Sequence, residues 1–137
     1  MKDLQMRILI ASNNRDSRAD LETRLSHYGS CTHAETGQHA LNLFLAAHDH
    51  LIPYDLVVLD THLADLGGLK TLRRIRDWEN QNLIAIHGQE AKVIVLTSIN
   101  ENDDLFASFR QGCEWYITQP VTQEDLEESL SVVGIKM

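Results

Sequence analysis

The sequence predicts an α/β fold: a doubly wound, five-stranded parallel sheet in the order 2-1-3-4-5, with helices on both faces. Three observations carry this. The apolar runs Ile8-Leu9-Ile10-Ala11, Leu56-Val57-Val58-Leu59 and Val93-Ile94-Val95-Leu96 are short, β-rich and without polar alternation, so they read as strands buried on both faces. Segments with helical apolar spacing lie between them. The connections are short, so successive strand–helix units wind onto one parallel sheet. Putting the three most apolar strands in the centre gives the stated order. Its switch point falls between the first and third strands, and such sheets bind ligands beyond their carboxyl ends.

Taken in order, the first strand ends in Ser12-Asn13-Asn14. A helix follows with Leu21, Leu25 and Tyr28 on one face, and Gly29 is read as its C-cap. Cys31 to Glu35 is more polar and suits an edge strand. Thr36 is placed to cap a helix with Ala40, Leu41, Phe44 and Leu45 inward, and Pro53 closes that region. The third strand ends in Asp60, which stands where the chemistry of such folds is placed; a carboxylate that only opens a turn is the plainer alternative.

After Gly68, Leu69, Leu72 and Ile75 line a helix that runs past Trp78. Lys70, Arg73, Arg74 and Arg76 are read as its solvated face rather than as an anion patch. Asn80 to Ala91 reads as a loop. The fourth strand ends in Thr97-Ser98, and Leu105, Phe106 and Phe109 mark a helix ending at Gly112. Trp115-Tyr116-Ile117 is a short strand before Thr118-Gln119-Pro120. Thr122 and Asp125 make a capping-box-like start to a final helix carrying Leu126, Leu130 and Val133.

Length and composition bound the function. The 137 residues fit one domain, 1–137, and 43% hydrophobic with 23% charged residues suits a globular chain. A net charge of −8 argues against nucleic acid as a direct partner. No apolar run approaches a membrane span, and no signal-peptide pattern opens the chain, so no membrane partner is expected. Cys31 and Cys113 form no CxxC, which makes a reducing cytoplasm the expected location. The seven His residues have no metal-ligand spacing; His48 and His50 are two apart and do not share a helix face.

The strand ends, the Gly68 helix start and the run Gly112 to Pro120 together resemble the response-regulator receiver domain of two-component signalling, a flavodoxin-like fold. The resemblance extends from Arg7 to about Gly134. It is strongest over Val57 to Gly68, Val93 to Ser98 and Gly112 to Pro120, and it points to the stand-alone type, with no room for a DNA-binding or enzymatic output domain. It implies that Asp60 is the phosphoacceptor position, that Thr97 bonds the phosphoryl oxygen, and that Tyr116 is the aromatic switch. It also implies a cis Gln119–Pro120 bond.

Departures from the family pattern set the functional expectation. Ser12 and Asn13 stand where the family has an acidic pair for Mg²⁺, and Asn14 where a further acid is frequent. Gln119 replaces the family's lysine, Ala64 its loop proline, and Gly67-Gly68 its Asp-Gly. Mg²⁺ would be left with the Asp60 carboxylate, neutral oxygens of Ser12 and Asn13, and the backbone carbonyl of His62. Removing one anion about 4 Å from a cation is worth on the order of a few kcal/mol at an effective dielectric of about 20, so a weak Mg²⁺ site is the most expected. Losing the lysine also removes charge neutralisation for phosphoryl transfer. A non-enzymatic, degenerate receiver that binds partners without phosphate is therefore expected. The alternative is a working phosphoacceptor with an atypical metal site. Partners would be a histidine kinase or other signalling protein, or a second copy through the last two helices and last strand. A flavodoxin-like cofactor binder is disfavoured because Ser12-Asn13-Asn14-Arg15 is a poor phosphate loop.

Overall fold

Alternate residues of the central strands point to opposite faces, and this divides the molecule into two cores. The computed structural model describes residues 6–84, 88–98, 110 and 112–135. The described elements are β1 (Met6–Ala11), α1 (Arg15–Leu25), β2 (Gly29–Ala34), α2 (Gly37–Asp49), β3 (Leu56–Asp60), α3 (Gly68–Gln81), β4 (Lys92–Thr97), β5 (Trp115–Thr118) and α4 (Gln123–Val132). All strand pairs are parallel, and the order is β2-β1-β3-β4-β5. The fold is thus the doubly wound α/β architecture that the apolar runs predict.

On one face Leu9, Val57, Leu59, Val93 and Val95 pack with Leu41 and Phe44 of α2 and with Leu72 and Ile75 of α3. On the other, Ile8, Ile10, Leu56, Val58, Ile94 and Leu96 pack with Leu21 and Leu25 of α1 and with Leu126 and Leu130 of α4. Strands buried on both faces need apolar residues at every position, which is why the runs show no alternation. Caps hold as read: Thr36 and Thr122 accept from the backbone N–H of His39 and Asp125, each at 3.0 Å. The helix read from Leu105, Phe106 and Phe109 lies outside the described residues, although its expected end, Gly112, has φ 92°.

Two sequence readings are corrected. Gly29 does not cap α1, which ends at Leu25 with Ser26 donating to the Glu22 carbonyl at 2.8 Å. Gly29 instead opens β2 against β1, where a Cβ would lie 2.1 Å from the Met6 carbonyl oxygen. Arg76, read as solvated, turns inward: its side chain is 15% exposed and bonds Glu79 at 2.7 Å and Glu114 at 2.9 Å. It also donates to the carbonyls of Ala91 and Gly112, while Glu79 accepts from Ala91 N–H and Glu114 from Val93 N–H. A hydrogen-bonded ion network therefore ties α3 to the amino ends of β4 and β5. Helical spacing could not separate Arg76 from Arg73 and Arg74, because its partners come from across the fold.

Candidate functional site

Asp60 ends the buried strand β3 and is itself 6% exposed. Its Oδ1 accepts the His62 backbone N–H at 2.9 Å, and its Oδ2 accepts the Ser12 hydroxyl at 3.3 Å. Ser12 is buried because its N–H continues the β1–β2 ladder to the Ala34 carbonyl at 3.1 Å. The Ser12 oxygen also accepts the Asn14 N–H at 3.1 Å. Asn14, a position where an acid could have joined the site, instead caps α1 by accepting the Ser17 N–H at 2.9 Å. Asn13 is exposed beside them.

Asp60 pairs with Leu96 in the sheet, which brings Thr97 one residue further along β4. Thr97 is buried, and its carbonyl accepts the Gln119 backbone N–H at 2.7 Å. The Gln119–Pro120 bond is cis. Among the described residues the Gln119 side chain makes no hydrogen bond to Asp60 or Thr97; it lines a groove of about 550 Å³ with Asn14, Asp20 and Pro120. Tyr116 pairs with Val95, two residues below the Thr97–Thr118 pair, and is half-buried with its ring 5.9 Å from that of Trp115. The predicted residues thus fall into a pair in direct contact, Ser12 and Asp60, a neighbour at the next strand end, Thr97, and more distant groups.

The loop after Asp60 is tied to the start of α2. Thr36 and Ala64 form a β-bridge, and the Asp65 carboxylate accepts the N–H groups of Gly37 at 2.9 Å and Gln38 at 3.2 Å. Asp65 also accepts the Leu66 N–H, the chief reason its carboxyl lies below the usual range, followed by opposing burial and then the Gln38 and Gly37 bonds. An anion at the N-terminus of α2 suits the helix dipole. Gly68 starts α3 directly on Asp60: a Cβ there would lie 2.2 Å from the Asp60 carbonyl oxygen.

One neighbouring group has no signature in the sequence. Arg18 of α1 is 8% exposed and donates through Nη1 to the Ser12 carbonyl at 2.6 Å; its Nη2 lies 4.0 Å from Glu35. It is a buried cation at the end of β1, beside the serine that bonds Asp60. Asp60 is the carboxylate at the carboxyl ends of β1, β3 and β4, with Glu35 beyond the end of β2, and no cluster of three or more His, Cys, Asp or Glu suited to a metal occurs among the described residues. Among the same residues, no helix is long and apolar enough to cross a membrane.

This arrangement defines a class: an α/β module with a buried carboxylate at the carboxyl end of its central strand, flanked by hydroxyl groups on both neighbouring strands. The sequence profile of the response regulator receiver domain matches residues 8–131, and the chain belongs to that family. It is 28% identical over 150 residues to the osmolarity two-component system protein SSK1 of Saccharomyces cerevisiae, covering 95% of this chain and 20% of that protein. It is 25% identical over 123 residues to the sensor histidine kinase GacS of Pseudomonas protegens, covering 89% of this chain and 12% of that one. The chain therefore spans a minor part of both relatives. Among solved structures, the Ssk1 receiver domain co-crystallised with the histidine phosphotransfer protein Ypd1 matches at TM-score 0.78 and 26% identity, with 93% of this chain and 87% of that one covered.

Proposed function

We propose that this receiver is a signalling interaction module whose partner binding does not require phosphorylation of Asp60. The observation that carries the reading is the state of the acceptor. Asp60 is a carboxylate hydrogen-bonded to a serine hydroxyl and a backbone N–H, with neutral Ser12, Asn13 and Gln119 where charge would be needed. These donors suit Mg²⁺ poorly. One carboxylate remains, the Ser12 hydroxyl is turned to Asp60 and Asn14, and the Ser12 carbonyl is taken by Arg18. Mg²⁺, when bound, would supply charge neutralisation at the phosphoryl oxygens. Asp60, Asn13 and the His62 carbonyl would be its nearest donors, and binding would be weak.

A histidine kinase, a phosphotransfer protein or another signalling protein is the partner class this reading implies. The support is the likeness to a receiver that was co-crystallised with a phosphotransfer protein. The contact face would be the one built by the last two helices and the last strand, through Tyr116 and Phe106, the latter outside the described residues. Self-association through the last two helices and the last strand belongs to the same proposal. The competing reading, a working phosphoacceptor, draws on the same likeness and on the presence of Asp60 and Thr97 at adjacent strand ends.

Incubation with a small-molecule phosphodonor and Mg²⁺, followed by intact-mass measurement, separates the two. No gain of a phosphoryl group is expected in the wild type. Substantial labelling that disappears in Asp60→Asn would establish the phosphoacceptor instead.

A further inference from the structure

Three described helices end in the same hydrogen-bonded motif, and only one uses the residue that the motif favours. In α4 the N–H of Ile135 returns to the Leu130 carbonyl at 2.8 Å and that of Gly134 to Ser131 at 3.1 Å, with Gly134 at φ 91°. This is a Schellman cap, in which the left-handed residue is usually glycine. In α2 the matching bonds are Ile52 to Ala47 and Leu51 to His48, and in α3 they are Ile84 to Glu79 and Leu83 to Asn80. There the left-handed position is Leu51 at φ 64° and Leu83 at φ 61°. A branched side chain disfavours this conformation, so neither leucine helps its own cap.

Nor do these leucines serve the core. Leu51 is 85% exposed and Leu83 is 55% exposed, and Ile52, next to Leu51, is 52% exposed. They lie at the same end of the molecule: the ring of His48, one turn before Leu51, is 4.6 Å from that of Trp78, just over one turn before Leu83. Leu51, Trp78 and Ile84 line a hollow of about 1030 Å³ at the amino ends of the strands, opposite Asp60. Clustered exposed apolar groups of this kind mark an interaction surface.

Charge names the occupant. Asp49, Asp55 and Glu90 line the hollow against Lys92, with the Arg7 guanidinium held over the Tyr54 ring. A second copy would bring the same carboxylates and a further net charge of −8. We infer that the Leu51–Leu83 end of the α2–α3 face docks a basic amphipathic segment of a partner protein, its apolar side chains on the leucines and its cations toward the carboxylates.

The test uses a synthetic helical peptide with leucines on one face and lysines on the other, beside its glutamate counterpart. Titration by amide NMR is expected to show shifts around Leu51, Trp78 and Leu83, with the lysine peptide at least tenfold tighter than the glutamate one. Leu51→Gly with Leu83→Gly should weaken binding at least tenfold without lowering the denaturation midpoint, since glycine suits both caps. Leu51→Asn with Leu83→Asn serves if the first variant folds poorly. Val132→Ser, which removes an exposed valine of α4 (51% exposed), should leave affinity unchanged, as should Asp60→Asn. Equal affinity of the parent and the double variants would overturn the proposal. So would a concentration-dependent dimer of the parent that the double variants lose, which would make the occupant a second copy.

Discussion

At the amino ends of β4 and β5, one arginine and two glutamates are gathered into a network with backbone donors and acceptors on every side. At the carboxyl ends of β1 and β3, Asp60 is held by a serine hydroxyl and a backbone N–H, and the charged neighbour, Arg18, bonds a carbonyl rather than the carboxylate. The first region is the richer in buried charge, yet all its polar groups serve to join α3 to the sheet. The second is poorer, yet it occupies the end of the sheet where such folds place ligands. Buried charge alone therefore does not locate function. Its position relative to the strand ends, and whether its partners leave any valence for a ligand, are what distinguish the two.

The largest effect is expected from breaking the structural end. Arg76→Met would leave Glu79, 1% exposed, and the less buried Glu114 without their cation. Stranding a buried charge costs about 3 kcal/mol or more, so the urea midpoint should fall sharply while the Asp60 region keeps its amide shifts. A change below about 1 kcal/mol would mean that the network is far more solvated than its geometry implies.

Recharging the other end should have the next largest effect. Ser12→Asp with Asn13→Asp is expected to tighten Mg²⁺ by about tenfold or more by calorimetry, since each carboxylate adds attraction for the ion. In the absence of metal the same variant should be less stable than the parent, because like charges would crowd Asp60. Unchanged metal affinity would show that geometry, through Arg18 and the Ser12–Asp60 bond, limits the site rather than charge.

A smaller effect sharpens the contrast between helix ends. Gly134→Leu should cost about 1 kcal/mol through the left-handed backbone alone, since a Cβ there meets nothing within 4 Å. Leu51→Gly should stabilise by somewhat less than about 1 kcal/mol, because glycine also gains freedom in the unfolded chain. Chemical denaturation of the two variants checks both signs.

The smallest effect concerns the loop after Asp60. The Asp65 carboxyl is lowered chiefly by its Leu66 backbone bond, with Gln38 and Gly37 adding. A group lowered on folding contributes stability that is present above its unfolded value, about pH 4, and lost as pH falls through the folded one. Amide exchange at Gly37 and Gln38 should therefore rise at acid pH in the parent. An Asp65→Asn chain that kept the same acid-induced rise would assign it to another group.

Much of the molecule was legible because parallel strands buried on both faces leave an unmistakable pattern. Leu56 to Leu59 could hardly be anything else, and the placement of Asp60, Thr97 and Gln119 at successive strand ends followed from it. The caps at Thr36 and Thr122 were equally legible, since a hydroxyl before an apolar helix acts within one turn of chain. Gly29 was misread because a glycine after a helical stripe resembles a C-cap, while the contact that requires it belongs to Met6, across the strand pair.

What the sequence determined by itself is what local pattern controls: the five strands, their burial, the carboxylate at the end of the third, and the neutral residues beside it. What only the tertiary structure decided is where the polar side chains spend their bonds. Arg76 turns inward because Glu114 and Gly112, distant in the chain, arrive beside it. Arg18 reaches the Ser12 carbonyl because α1 packs back over β1, and Asp65 clasps α2 because the loop after β3 lies against that helix's first turn. Periodicity reports which side of an element is apolar; the partner of a charge is set by chain segments that meet only when the sheet is assembled.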